Sequence, residues 1–439
     1  MARDPFVVVG GGVAAARAVE AIRDIDTDTP VVLVAREQRL PYERPPLSKE
    51  VLLGLEPVEA AFVRPRQWYD ERGVQLRLGV AVDRLDPAQR TVVLSDGEQL
   101  AWGAVLLATG SGARKLKVPG SRLDGVFYLR TMTDAAALRE RLVEGSRVVV
   151  VGAGWIGLEV SAAARRRGAE VTVVEPQEAP LLGTLGERIG TWFADVHRSH
   201  GVTFRFGEGV ASLEGTGDTV TTVCTTSGER LPADTVVIGV GAFPNTRLAE
   251  QAGLAVDDGV LVDESLRASA EGVYAAGDVA RWYHPTLGTR VRVEHWANAY
   301  DGGYAAGRSM AGAAVRYDAM PFFYSDQYDL GLEYAGYIPP GTDTELVLRG
   351  DLAADEFLAF WVARHDGGTR VLAGMQVHVW DQLDAVQALV RSGVRVDLDR
   401  LADPAVALGA VGAERLSGIP PLKSRYAVHR LSWAPRGRP

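Results

Sequence analysis

Two glycine clusters in this chain have the spacing with which a backbone can close on phosphate. Gly10 and Gly12 lie in VVVGGGVAAA (Val7–Ala16), with Ala15 at the third position of a G-x-G-x-x-G/A pattern. Gly152, Gly154 and Gly157 complete the same pattern in VVVVGAGWIGLEV (Val148–Val160), 142 residues further on. Glycines at these positions let backbone N–H groups approach a pyrophosphate whose charge rests on a helix N-terminus. The apolar run Val171–Val174 then ends in Glu175. An acid there can bind a ribose 2′-hydroxyl and repels a 2′-phosphate, so the second turn favours NADH over NADPH. One such turn is weak evidence, because tight packing also selects glycine. Here both copies follow an apolar run and open a helical pattern.

The elements that must position these turns are legible around them. Val7–Val9 and Val31–Val34 are short β-branched runs suited to buried parallel strands, with an alanine-rich helical stretch, Ala14–Ile22, between them. The order returns as strand Val148–Val151, helix Ile156–Arg167 and strand Val171–Val174, with Gly168 where a helix C-terminus expects glycine. This is one βαβ unit used twice. After about Ala319 the pattern changes. PFFYSDQYDL, ELVLRGDL and FLAFWVA predict antiparallel strands, followed by a helix near Asp384–Arg391.

Composition narrows the function classes. The 439 residues suffice for two to four domains. A net charge of −9 argues against a nucleic-acid footprint. No apolar run approaches the ~18 residues of a membrane span, and the strand starting near Phe6 leaves no room for a signal peptide. The single cysteine, Cys224, cannot form an internal disulfide or a redox pair, which fits a reducing cytoplasm. It is expected to be a buried structural thiol. His197 and His200 are three apart on an expected helix with no acid or cysteine motif joining them, so they predict a solvated face and no metal site. Arg165–Arg167 suits a helix C-terminus.

Five further stretches occur in order: LPYERPPLSKEVL (Leu40–Leu52), LLATGSGARKL (Leu106–Leu116), YLRTMTDA (Tyr128–Ala135), VYAAGDVA (Val273–Ala280) and PFFYSDQYDLGLEYAGY (Pro321–Tyr337). Together with the two turns they resemble the FAD-dependent NADH:ferredoxin reductases of bacterial oxygenase systems, of the putidaredoxin reductase type. These belong to the pyridine nucleotide–disulfide oxidoreductase superfamily. The resemblance extends to about residue 410. It implies an α/β chain of two Rossmann-like dinucleotide-binding domains, arranged as in glutathione reductase, plus a C-terminal α+β domain. The implied boundaries are an FAD domain at 1–113 and 241–319, an NAD domain at 114–240 and a C-terminal domain at 320–439.

The same resemblance assigns residues. Lys49 matches a lysine at the flavin N5 edge and Glu159 a glutamate near the nicotinamide, and the two are expected to pair. Trp296, in VEHWANA, falls where the chain passes over the flavin, although an ordinary core tryptophan would read the same way. These three are the candidate catalytic residues. Arg44, Arg130, Thr109, Gly110, Val82 and Asp278 match positions around FAD. Val13, Ala14, Ile156, Gly241 and Gly277 join the residues expected to line the two cofactors. Two departures stand out. The family's ribose-binding acid falls at Arg36, followed by Glu37, which is the candidate to replace it. An aromatic WFW cluster is FFY here, Phe322–Tyr324.

The activity implied is hydride transfer from NADH to FAD, then single-electron delivery to an iron–sulfur ferredoxin that serves an oxygenase. Two alternatives share the cofactors: a flavoprotein that reduces a small molecule or oxygen, and an NADH-sensing flavoprotein resembling apoptosis-inducing factor. The basic end, with Lys423, Arg425, Arg430, Arg436 and Arg438, is either a loosely held tail or an attractor for an acidic ferredoxin. The oligomeric state is open between monomer and homodimer.

Overall fold

The structure, a computed structural model, describes residues 3–365 and 368–412. The cations of the basic end lie outside the described residues. Contacts divide the chain into two units, Met1–Ala319 and a second beginning at Met320.

Within the first unit one architecture is built twice. Its first copy starts with β1 (Phe6–Val9), α1 (Val13–Arg23), β2 (Val31–Ala35), the short helix α2 (Glu50–Leu53), β3 (Val74–Leu78) and β4 (Ala104–Leu107). The second copy comprises β5 (Val126–Phe127), α3 (Met132–Arg141), β6 (Arg147–Val151), α4 (Trp155–Arg166), β7 (Glu170–Glu175), α5 (Glu187–Ser199), β8 (Val202–Phe206) and β9 (Thr235–Ile238). The chain then returns to the first copy with β10 (Val273–Ala275) and α6 (Trp296–Met310). The two parallel sheets have matching orders, β3-β2-β1-β4-β10 and β8-β7-β6-β9-β5. Each copy inserts a three-stranded antiparallel meander, Val82–Ala101 between β3 and β4 in the first and Val210–Pro232 between β8 and β9 in the second. The passages out of and back into the first copy, Ser111–Ala113 and Ala242–Pro244, pair antiparallel.

The central strands read as unbroken apolar runs because they are covered on both faces. In β6, Val149 and Val151 pack with Leu213, Val220 and Val223 of the meander. The opposite face meets α4, where a Cβ on Gly157 would stand 3.4 Å from the Val150 side chain. In the first copy α6 lies directly on α1. A Cβ on Gly303 would lie 2.3 Å from the Ala14 carbonyl oxygen, and one on Gly307 2.2 Å from that of Ala18. Small residues four apart on both helices bring the backbones together, and this sets the position of α1 under its turn.

The second unit is a five-stranded antiparallel sheet in the order β11-β12-β15-β14-β13. Its strands are β11 (Phe322–Gln327), β12 (Leu330–Gly336), β13 (Glu345–Asp351), β14 (Glu356–His365) and β15 (Gly368–Val377). The helix α7 (Leu383–Ser392) covers one face over Gly374, which has no room for a Cβ beneath Val386. Buried Arg349 donates to the carbonyls of Leu401, Pro404 and Val406, tying the following segment to the sheet edge. Among the described residues no helix is long and apolar enough to cross a membrane.

Candidate cofactor sites

The first turn leaves β1 at Gly10, whose N–H donates to Val34 O at 2.9 Å. A Cβ on Gly10 would sit 2.1 Å from Ala108 O, so only glycine allows this approach to the end of β4. Gly12 caps α1 with no side chain, and a Cβ there would meet nothing within 4 Å. The helix N-terminus therefore faces open space, with no side chain capping it. Next to it lies a cleft of ≈ 1090 Å³, lined among others by Gly10, Glu37, Arg44, Val82, Thr109 and Arg130. That volume is at the top of the range of about 300–1,000 Å³ usual for small-molecule sites.

Charged groups around this cleft hold one another in place. The Glu37 carboxylate accepts from Tyr42 Oη at 2.8 Å and stands 3.8 Å from Arg44. Burial raises the pKa of the Tyr42 phenol, with Arg44 opposing. Arg44 donates to the Arg130 carbonyl, and Arg130 donates to Asp278 at 3.0 Å. The Nε of Arg130 is buried with no partner in the structure. Thr109 and Gly110 are held by Asn245, whose amide donates to Thr109 O at 2.8 Å and whose N–H donates to Gly110 O at 2.9 Å. Gly241 accepts from Arg114 N–H at the exit from the second copy. Gly277 sits against Ala14, and Val13 and Ala14 are themselves buried. Tyr42 and Asn245 were not singled out from sequence. The only signal for Asn245 is its place in PNT, shortly after the glycine-rich end of a strand.

The second turn repeats the first. Gly152 N–H donates to Val174 O at 2.9 Å, and a Cβ on Gly157 would lie 2.0 Å from Gly152 O. Gly154 caps α4 and, like Gly12, faces open space. Glu175 accepts from the N–H groups of Ala153 at 2.7 Å and Gln177 at 3.0 Å, which fixes its carboxylate against the turn. By the same hydrogen-bond register its counterpart in the first copy is Ala35, one residue before Arg36. Glu37 reaches the cleft from two positions further along.

The two copies meet at a buried ion pair. Lys49, between the turn Pro45–Ser48 and α2, places Nζ 2.8 Å from Glu159 Oε2 on α4. Ile156, one turn earlier on α4, is 43% exposed, an apolar side chain offered at the mouth of the second turn. Trp296 begins α6 beside the Gly277–Val279 turn and packs on Tyr300, with ring centroids 4.9 Å apart. Burial lowers the pKa of the neighbouring His295 to about 4, with Asp278 opposing, so this imidazole is neutral near pH 7.

Comparison with known proteins decides what this arrangement belongs to. Residues 4–303 match the family model described as pyridine nucleotide-disulphide oxidoreductase, and residues 322–411 match that described as reductase C-terminal. The chain belongs to the pyridine nucleotide-disulphide oxidoreductase family. It is 40% identical to the ferredoxin–NAD(+) reductase component of the anthranilate 1,2-dioxygenase system of Burkholderia cepacia, over 93% of this chain and 99% of that one. Rhodocoxin reductase of Rhodococcus erythropolis is 38% identical over 84% of each chain. Among solved structures, the covalent putidaredoxin reductase–putidaredoxin complex matches with a TM-score of 0.88 at 33% identity, covering 93% of this chain and 98% of the matched one.

Members of this pyridine nucleotide-disulphide oxidoreductase family use FAD and NAD(H), and the residues present fit both. At each turn the capping glycine, Gly12 or Gly154, leaves the helix N-terminus open to a ligand. The cleft borders the first turn, and the partnerless Arg130 Nε supplies a donor in its wall. Two expectations need correction. His197 is fully buried, with its ring edge-on to Phe204, while His200 is exposed and bonds the Val196 carbonyl, so only one of the pair lies on a solvated face. Helical spacing alone does not show which face is covered. Cys224 is half-buried rather than buried. It lies in the meander of the second copy and donates to Glu214 at 3.2 Å. Its neighbour Glu214 is an acid paired with exposed Arg230, which keeps this end of the meander open to solvent.

Proposed function

We propose that this chain passes electrons from NADH through FAD to an iron–sulfur ferredoxin that serves an oxygenase. The observation carrying this reading is the buried Lys49–Glu159 contact, which joins the two copies that carry the like glycine turns within one unit. The names of the relatives agree with it. Once bound, the cofactors supply hydride transfer and the division of an electron pair into single electrons. What the protein supplies is position and environment. In this reading the first turn and the cleft hold FAD, with Glu37 and Asp278 toward its hydroxyls and Arg44 and Arg130 toward its charge. The second turn and Glu175 hold NADH. Ile156 packs at the nicotinamide, Trp296 excludes water, and the Lys49 ammonium stabilises negative charge that grows on the reduced ring. A chain with one cysteine, far in sequence from the Lys49 segment, has no thiol pair for disulfide reduction. That cysteine usage also supports a cytoplasmic setting.

The test is direct. The purified protein should be yellow, and anaerobic NADH should bleach it. Cytochrome c reduction by NADH should accelerate at least tenfold when an iron–sulfur ferredoxin is added. A rate that ignores the ferredoxin while NADH is consumed steadily in air would assign the electrons to oxygen or a small molecule instead.

A further inference from the structure

Ser48 was not singled out by any motif role, yet it is the third member of the buried contact between the two copies. Its Oγ lies 2.5 Å from Glu159 Oε2, the same oxygen that Lys49 Nζ approaches to 2.8 Å. Ser48, Lys49 and Glu159 are all buried. A second acceptor, the Pro45 carbonyl, is 3.4 Å from the hydroxyl. One hydroxyl has one hydrogen, so the shorter contact to the charged oxygen takes it. Neighbouring side chains point about 100° apart on a helix and to opposite sides of a strand. Here two consecutive ones converge on one atom. The backbone allows it at Lys49, where φ −121° and ψ −107° separate the turn Pro45–Ser48 from α2.

We propose that Ser48 is a positioning residue for flavin reduction: its hydroxyl carries part of the Glu159 charge and so leaves the Lys49 ammonium available to the flavin. The proposal rests on the reading that Lys49 stands beside that ring. A buried carboxylate needs its hydrogen bonds. Without the Ser48 donor, Glu159 leans on Lys49 and draws the ammonium toward α4. The reduced ring, which carries the extra negative charge, then loses stabilisation.

The experiment uses the FAD-loaded full-length protein and its Ser48→Ala, Ser48→Thr and Lys49→Met variants. The readouts are the flavin midpoint potential, by equilibration with a reference dye, and single-turnover reduction by NADH. Ser48→Ala should lower the midpoint by about 30 mV, the equivalent of tenfold in the two-electron equilibrium. It should slow reduction at saturating NADH by a similar factor and leave the half-saturating NADH concentration within about twofold. Ser48→Thr, which keeps the hydroxyl, should restore both. A merely structural serine would move neither the potential nor the split between rate and affinity. If Lys49→Met lowers the midpoint but Ser48→Ala does not, Ser48 has no such role. If the Lys49→Met protein is yellow with an unchanged midpoint, the placement of Lys49 is wrong, and the role of Ser48 goes with it. Should Ser48→Ala fail to retain flavin, Ser48→Cys offers a weak donor of similar size. An intermediate fall in midpoint then supports the proposal, and no fall overturns it.

Discussion

Glu175 has two structural bonds before any ligand arrives. Its oxygens hold the N–H groups of Ala153 and Gln177, so the side chain orders the second glycine turn as well as standing where we propose it meets the NADH ribose. Glu175→Ala is therefore expected to do more than relax selectivity. It should raise the KM for NADH about tenfold, through the lost ribose contact and the loosened turn, since a hydrogen bond to a charged group contributes ~1.5–3 kcal/mol. NADPH turnover should gain only from the removed repulsion. Steady-state kinetics with both nucleotides, at fixed acceptor, check this. An unchanged KM for NADH would remove Glu175 from the site. Glu37 cannot be read as its twin, because Ala35 occupies the equivalent register position.

Helix α6 carries glycine at 302, 303 and 307, a composition that disfavours helix by roughly 1 kcal/mol per residue relative to alanine. The neighbours explain why two of the three are tolerated. Gly303 and Gly307 lie against the α1 backbone at Ala14 and Ala18, whereas a Cβ on Gly302 would reach only ordinary contact with Tyr317 at 3.5 Å. Adjacent substitutions should thus have opposite signs. Gly302→Ala should stabilise by up to about 1 kcal/mol through propensity. Gly303→Ala should destabilise by about 1–3 kcal/mol through overpacking. Because α1 carries the first turn, Gly303→Ala should also lose flavin on gel filtration. Thermal unfolding and the flavin-to-protein ratio read both effects, and equal behaviour of the two variants would refute the packing account. The glycine spacing was visible in the sequence, but its partner helix, nearly 300 residues earlier, was not.

The two copies are also held at the far end of α4. Arg167 donates to the carbonyls of Leu142 at 2.7 Å, Leu53 at 3.1 Å and Arg139 at 3.2 Å. The C-terminal ends of α2, α3 and α4 thus gather on one guanidinium, which complements their dipoles. With Lys49–Glu159 at the other end, α4 is fastened twice to the segment that carries Lys49. Arg167→Met should lower Tm by roughly 3–8 °C and slow flavin reduction by NADH without weakening NADH binding, because only the spacing between sites is loosened. Calorimetry and stopped-flow absorbance measure these, and a variant with unaltered Tm would show that the clamp contributes nothing. Arg147–Asp234 and Arg230–Glu214 are shorter but exposed. They should matter little, since water and salt screen them.

Local patterns carried the twin turns, their strands and helices and the acid Glu175, because each depends on residues within one βαβ unit. Glycine at a close approach, an apolar run buried on both faces and a cap without a side chain all leave a mark in adjacent residues. The stretch around Cys224 reads as a strand, as it proves to be, but its meander partners and the whole first meander were missed because their strands are short and lack a clean alternation. What only the tertiary structure decided are pairings across the chain: Ser48 with Glu159, 111 residues apart; Thr109 with Asn245, 136 apart; Arg130 with Asp278, 148 apart. No periodicity encodes such contacts. The first arises because α4 of the second copy packs on the Lys49 segment, and the other two because the chain leaves the first copy, builds the second and comes back.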